Sequence, residues 1–134
     1  MEKATYWDSS ALIAAAIDPS VREKLASSER SITRTHALAE IFSTVTGGRL
    51  GFRLGADDAT NVLTDLSHHL TFVDLSPEET LEALAQARKK GVRGGQVHDY
   101  LHATAAIKSA CKALYTLNLR DFANLFEGLK ITEP

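Results

Sequence analysis

Residues 4–17, Ala4-Thr5-Tyr6-Trp7-Asp8-Ser9-Ser10-Ala11-Leu12-Ile13-Ala14-Ala15-Ala16-Ile17, decide the fold. Ala4-Thr5-Tyr6-Trp7 is a short run rich in β-formers that ends at an acid. Ser9-Ser10 then supplies N-cap chemistry for the apolar helix Ala11–Ile17. A strand that feeds a helix with almost no linker is the opening of a strand–helix alternation, the chain order of α/β proteins.

The same alternation continues downstream. Asp18-Pro19-Ser20 restarts the chain into a polar helix through about Ser27, and Ser31-Ile32-Thr33 reads as a short strand. His36–Thr46 is helical, with Leu38, Ile41, Phe42 and Val45 as its apolar stripe and Gly47-Gly48 as its stop. A helix over Ala56–Leu66 leads to the strand Thr71-Phe72-Val73-Asp74. Ser76-Pro77-Glu78-Glu79 has the pattern of a capping box with proline in the first turn, opening a helix to about Lys90 that Gly91 closes. Gln96–Lys112 is a further helix, Ala113–Leu117 a strand, and Gly128–Ile131 a short last strand. Strands and helices in this order predict a parallel sheet covered on both faces, with any site beyond the carboxyl ends of the strands.

Composition narrows the class. The 134 residues suit one compact domain over 1–134, and 44% hydrophobic with 24% charged content is ordinary for a soluble globular chain. The longest apolar run, Ala11–Ile17, falls far short of the roughly 20 residues a membrane span needs. No basic stretch followed by an apolar one opens the chain, and the single Cys111 excludes an internal disulfide, so a cytoplasmic protein is expected. A net charge of −2 provides no global field for nucleic acid. The local basic clusters, Arg49 with Arg53 and Arg88, Lys89, Lys90 with Arg93, read as solvated helix ends and permit such a substrate without arguing for one.

Four carboxylates carry the chemistry. Asp8, Glu40, Asp99 and Asp121 each sit beside an apolar run at the start or near the end of an element. Acids that converge on one point repel one another unless a cation sits among them. Asp8 follows an aromatic strand, and since Ser9 and Ser10 supply the cap, it is free for another role. On a helical wheel Val97, Tyr100, Leu101, Thr104, Ile107 and Cys111 form one broad face. Asp99 heads a second row with Ala103, Ala106 and Ala110, which predicts a helix packed on two sides, with His98, His102 and Ser109 toward solvent. Glu40 falls at the edge of its helix, and periodicity alone assigns it to the surface. Asp121 follows the strand Ala113–Leu117, either at the carboxyl edge of the sheet or as an N-terminal acid of a short helix over Phe122–Leu125.

Other constellations compete with this one. His98-Asp99-Tyr100-Leu101-His102 places two histidines at i and i+4 around an acid, the outline of a zinc hydrolase helix with Asp for Glu. A third protein ligand is needed, and His36, His68 and His69 offer no motif for it. Gly91-Val92-Arg93-Gly94-Gly95 precedes a helix but lacks the Gly-Lys-Ser/Thr ending of a phosphate loop. Cys111 lies on the apolar face and reads as a packed thiol.

Taken together, the chain resembles the PIN-domain endoribonucleases, specifically the VapC-type toxins of toxin–antitoxin pairs. The matching pieces are Trp7-Asp8-Ser9-Ser10-Ala11-Leu12, Ala39-Glu40-Ile41, His98-Asp99-Tyr100-Leu101-His102-Ala103-Thr104-Ala105 and Thr116-Leu117-Asn118-Leu119-Arg120-Asp121-Phe122. Their acids are separated by 32, 59 and 22 residues, and the likeness covers residues 5–122. Ser10 stands where many relatives carry asparagine.

The resemblance implies a three-layer α/β/α PIN-like fold with a short central parallel sheet. It also implies a metal-dependent endoribonuclease whose acids are Asp8, Glu40, Asp99 and Asp121, supported by Ser10, Thr116 and Asn118. Mg2+ (or Mn2+) suits an all-oxygen site. Asp8 and Asp99 would hold the metal, with Glu40 and Asp121 joining directly or through water. The implied substrate is RNA, single-stranded or looped, and the implied partners are a VapB-like antitoxin whose tail covers the site and a second copy in a homodimer. Two further classes remain: a non-catalytic PIN-like binding module, and a receiver-like module, for which Thr116-Leu117-Asn118 lacks the expected lysine.

Overall fold

In the computed structural model, which describes residues 4–123 and 125–134, the predicted alternation closes into a five-stranded sheet. The strands are β1 (Ala4–Trp7), β2 (Arg30–Arg34), β3 (Thr71–Val73), β4 (Ala113–Tyr115) and β5 (Lys130–Thr132). All neighbours pair in parallel, in the spatial order β3-β2-β1-β4-β5. The helices are α1 (Ser9–Ile17), α2 (Pro19–Ser27), α3 (His36–Gly47), α4 (Ala56–Ser67), α5 (Pro77–Lys89), α6 (Gln96–Lys108) and α7 (Leu119–Phe122). This is the expected α/β architecture, with a short central parallel sheet. Among the described residues, no helix is long and apolar enough to cross a membrane.

The strand order positions the site. The chain builds outward from β1 through β2 to β3, then returns to place β4 on the other side of β1. Connections therefore diverge between β1 and β4, which leaves a crevice at their carboxyl ends. A receiver module would put β1 between β2 and β3; here it lies between β2 and β4, which sets that alternative aside.

Strand alternation sends β1 side chains to both faces. Tyr6 enters a core built with α5 and α6, and Trp7 enters one built with α1, α3 and α4; both are fully buried. Full burial of side chains this large contributes about 1.5–3 kcal/mol each, so the end of β1 is firmly fixed. Asp8 keeps an extended backbone (φ −77°, ψ 176°), and the alternation returns it to the Tyr6 side, toward α6.

Several boundaries and faces differ from the sequence reading. The cap of α1 is Asp8 itself, whose side chain accepts the Ala11 N–H, and the serines lie inside the helix. In α3 the buried residues are Ala37, Ile41 and Val45, so the stripe is rotated and Phe42 is exposed. Helix α6 stops at Lys108, four residues early. There Ala110 takes a left-handed backbone (φ 57°) while the Cys111 N–H reaches the Ala106 carbonyl at 2.9 Å, a Schellman-type ending without its usual glycine. Strand β4 ends at Tyr115, and the short helix expected over Phe122–Leu125 is replaced by α7; residue 124 lies outside the described residues.

The capping box does form: Ser76 Oγ accepts the Glu79 N–H and Glu79 Oε1 accepts the Ser76 N–H. Cys111 is buried, and burial pushes its thiol up to about 11, in keeping with a packed role.

Candidate active site

Asp8 is the anchor of the crevice and is 2% exposed. Its Oδ1 accepts the Ser10 hydroxyl at 2.7 Å and the Ala11 N–H at 2.9 Å, and its Oδ2 accepts the Thr116 hydroxyl at 2.6 Å. A carboxylate offers about four acceptor positions, so protein donors leave one open, on Oδ2. Burial pushes the Asp8 carboxyl up, against the opposing pull of Thr116, His102, Ala11 and Ser10.

The β4 end is sewn to the same point. Trp7 and Tyr115 are register partners, and the Asp8 N–H donates to the Tyr115 carbonyl at 3.1 Å. Beyond them the Thr116 N–H still donates to the Thr132 carbonyl of β5 at 3.0 Å, while the Thr116 hydroxyl and the Leu117 N–H turn to side-chain partners. The Leu117 N–H donates to Ser10 Oγ and the Asn118 N–H to Thr116 Oγ1, both at 2.9 Å. Ser10 and Thr116 thus each brace Asp8 while holding the turn. Asn118 is exposed and its side chain makes no hydrogen bond among the described residues, so it is open to a ligand.

Asp99, in the first turn of α6, is half-buried and its carboxylate accepts no hydrogen bond among the described residues. Its carboxyl is pushed up to about 6, first by burial and then by the charges of Asp121, Asp8 and Glu40, with His102 pulling the other way. Through that carboxyl the structure brings all four predicted acids into electrostatic contact. Asp121 is exposed on α7, where the Gln96 side-chain amide donates to its backbone carbonyl at 3.1 Å.

Glu40 reaches the cluster from α3. Its Oε1 lies 2.8 Å from His102 Nε2, and its side chain is 24% exposed, so the surface placement given by periodicity is corrected. Burial raises its carboxyl, but the His102 hydrogen bond and the charges of His102, His36 and His98 outweigh it and hold Glu40 below the usual range.

His102 is the residue that the sequence placed wrongly. It is 1% exposed, not on a solvent face, and its Nδ1 lies 2.6 Å from the Tyr6 hydroxyl. With Nδ1 on Tyr6 and Nε2 on Glu40, both ring nitrogens are engaged inside the protein. His98 is exposed and stacks with His36 at 6.2 Å between ring centroids. The two histidines thus have different partners, and the zinc-hydrolase outline is not formed among the described residues. Between Asp99 and Ile107 only Asp99, His102 and Thr104 are polar. So sparse a polar content was the available signal that α6 has little solvent face.

The donor set matches a hard divalent cation in chemistry: oxygen ligands, one unsatisfied half-buried carboxylate, and like charges whose repulsion a cation would relieve. As they stand, no three His, Cys, Asp or Glu side chains among the described residues are close enough together to hold a metal ion. A cation there would be held in part through water, or with Asp121 turned inward.

No family model and no curated protein sequence matches the chain. Among solved structures it is similar to PAE2754 from Pyrobaculum aerophilum, with a TM-score of 0.73 and 19% identity over 98% of this chain and 90% of that one. It is similar to DNA-bound VapBC from Salmonella typhimurium, with a TM-score of 0.72 and 20% identity over 99% of this chain and 98% of that one. VapC20 from Mycobacterium tuberculosis, a sarcin–ricin loop cleaving toxin, matches with a TM-score of 0.70 and 15% identity over 89% of this chain and 93% of that one. At these identities what is shared is the fold.

Proposed function

We propose that this chain is the toxin of a toxin–antitoxin pair, an endoribonuclease that hydrolyses RNA phosphodiester bonds with Mg2+ or Mn2+. The observation that carries the reading is Asp99: a half-buried carboxylate without a donor, raised to about 6 in the company of Asp121, Asp8 and Glu40. Such a group is costly in the isolated chain and favourable only once a cation arrives. The fold shared with VapC20 and with VapBC is in keeping with it.

Asp8 and Asp99 would hold the cation, and Glu40 and Asp121 would complete its surroundings directly or through water. The bound cation supplies Lewis acidity toward a water nucleophile and positive charge against the scissile phosphate. Ser10 and Thr116 keep Asp8 in one rotamer, so its open lone pair is pre-aimed. The amide of exposed Asn118 would orient a phosphate oxygen. The RNA would be read in a single-stranded or looped region, where bases are accessible to side chains.

A VapB-like antitoxin would inhibit by inserting a basic side chain among the four acids, replacing the charge of the cation and competing with it. An apolar groove lined by Leu75, Ala83, Tyr100, Ile107 and Phe126 is surface of the kind that assembly covers, in keeping with a homodimer joined to antitoxin. The test is cleavage of a looped RNA with and without Mg2+. Asp8→Asn and Asp99→Asn are each expected to abolish cation-dependent cleavage with the circular dichroism spectrum unchanged, and full activity in either variant overturns the assignment.

A further inference from the structure

We propose that His102, held by Tyr6, is a positioning residue that fixes the Glu40 carboxylate at the edge of the acid cluster and thereby sets the affinity of the site for a divalent cation. The inference rests on reading the cluster as a cation site.

The direction of the hydrogen bonds follows from the root of the network. The backbone N–H of Arg34, at the end of β2, donates to the Tyr6 phenolic oxygen at 3.1 Å. The phenol therefore accepts there and has its own proton to give, and His102 Nδ1 lies 2.6 Å away. With Nδ1 accepting that proton, the neutral imidazole carries its hydrogen on Nε2; in the imidazolium Nδ1 donates to the phenol instead, and Nε2 still carries a hydrogen. That N–H donates to Glu40 Oε1 at 2.8 Å. In either form the Nε2–H faces the Glu40 carboxylate, which can only accept, so the hold on Glu40 does not depend on the charge of His102.

Rigidity runs the same way. Tyr6 is fully buried and His102 is 1% exposed, with the two rings in edge-on contact, so each is hemmed in by packing. Glu40 by contrast has a long side chain at 24% exposure. Holding such a chain in one rotamer costs up to about 1.5–2 kcal/mol of entropy, and repulsion from Asp99 would favour rotamers that turn away. The His102 N–H offsets both. Glu40 Oε2 accepts no hydrogen bond among the described residues, so the oxygen His102 does not hold is the one left for the cluster.

Packing alone does not ask for this arrangement. An apolar side chain at position 102 would fill the space between α6 and the sheet without any partner, and buried polar pairs contribute little net stability compared with such packing. The network instead ends on a half-exposed carboxylate facing the candidate site, the pattern of outer partners that orient ligands.

The experiment measures Mn2+ binding to the full chain by calorimetry, with no RNA present. His102→Leu is expected to weaken Mn2+ by about 10–100-fold. His102→Gln, whose amide N–H reaches Glu40 from the same depth, is expected to recover most of the loss. In a Glu40→Gln background, His102→Leu is expected to have no further effect, because its action passes through Glu40. Wild-type affinity in folded His102→Leu overturns the proposal, as does an equal loss with and without Glu40.

Should His102→Leu fail to fold, Tyr6→Phe decides. Nitrogen NMR of the metal-free protein is then expected to show a changed Nδ1 signal, because that nitrogen loses its partner, with weaker Mn2+ binding. Unchanged affinity overturns the idea. Asp99→Asn separates the two levels: if it binds Mn2+ like wild type, the cation reading fails. If it abolishes binding while His102→Leu and Tyr6→Phe do not weaken it, the cation reading stands and the positioning role falls.

Discussion

Removing the charge of Asp99 is expected to stabilise the metal-free protein, which is unusual for a residue placed at the heart of a site. In the folded chain its carboxyl is pushed from 3.8 up to about 6 by burial and by Asp121, Asp8 and Glu40. That is a factor of about 100 in proton affinity, or about 3 kcal/mol at about 1.36 kcal/mol per decade. Asp99 is partly open to water, and screening brings the expected cost to about 1–2 kcal/mol. The sign depends on pH. At about pH 3 and below the group is largely protonated in both the folded and the unfolded chain and costs little. As pH rises from 3.8 to about 6 the unfolded chain ionises first, so stability falls, and above that window the full cost remains.

Urea unfolding of wild type and Asp99→Asn, with EDTA present, reads this directly. At pH 8 the variant midpoint is expected to lie higher by about 0.5–1 M, taking a slope of about 1–3 kcal/mol per M. At about pH 3 the two midpoints are expected to converge. Adding Mn2+ at pH 8 is expected to raise the wild-type midpoint and leave the variant where it was, by linkage of binding to folding. A variant no more stable than wild type at pH 8, or equally favoured at about pH 3, refutes the claim that Asp99 is held against like charge.

Two further substitutions test the frame around the site. Asp8→Asn and Asp8→Ala both remove the buried charge, but only asparagine keeps a cap for the Ala11 N–H. The asparagine variant is therefore expected to be more stable than the alanine one by about 1 kcal/mol in urea unfolding, and equal stabilities would remove Asp8 as the cap of α1. Ala110→Gly relieves a left-handed backbone at φ 57° and is expected to raise stability by about 0.5–1 kcal/mol, less than the strain itself because glycine also loosens the unfolded chain. A loss of stability would place Ala110 outside that conformation.

The fold was legible because its signals are local. An aromatic strand running into an apolar helix, the Ser76–Glu79 capping box and the glycine after α5 each act within a few residues, and the order of elements follows from them. Boundaries failed where a tertiary contact sets them. Thr116 and Leu117 have the composition of strand residues, yet the pairing ends after the Thr116 N–H, because Ser10 takes the Leu117 N–H. Helix α6 ends at a left-handed alanine, where no glycine marks the stop.

The site was legible in part, and the missing part has one cause. Helical periodicity sorts residues for a helix with one wet side, but α6 buries Tyr100, Leu101, His102 and Ala103 in succession, between the sheet and α5. A wheel cannot place His102 correctly when the wet side is missing, and with His102 misplaced Glu40 had no reason to point inward. Asp8 failed differently. The sequence posed its cap and its site role as alternatives, and assigned the cap to Ser9 and Ser10. In the structure Asp8 Oδ1 carries the cap and the Ser10 hydroxyl, while Oδ2 takes Thr116 and keeps a lone pair. Capping is what immobilises the carboxylate, so the structural role of Asp8 is the means by which it is held ready for a ligand.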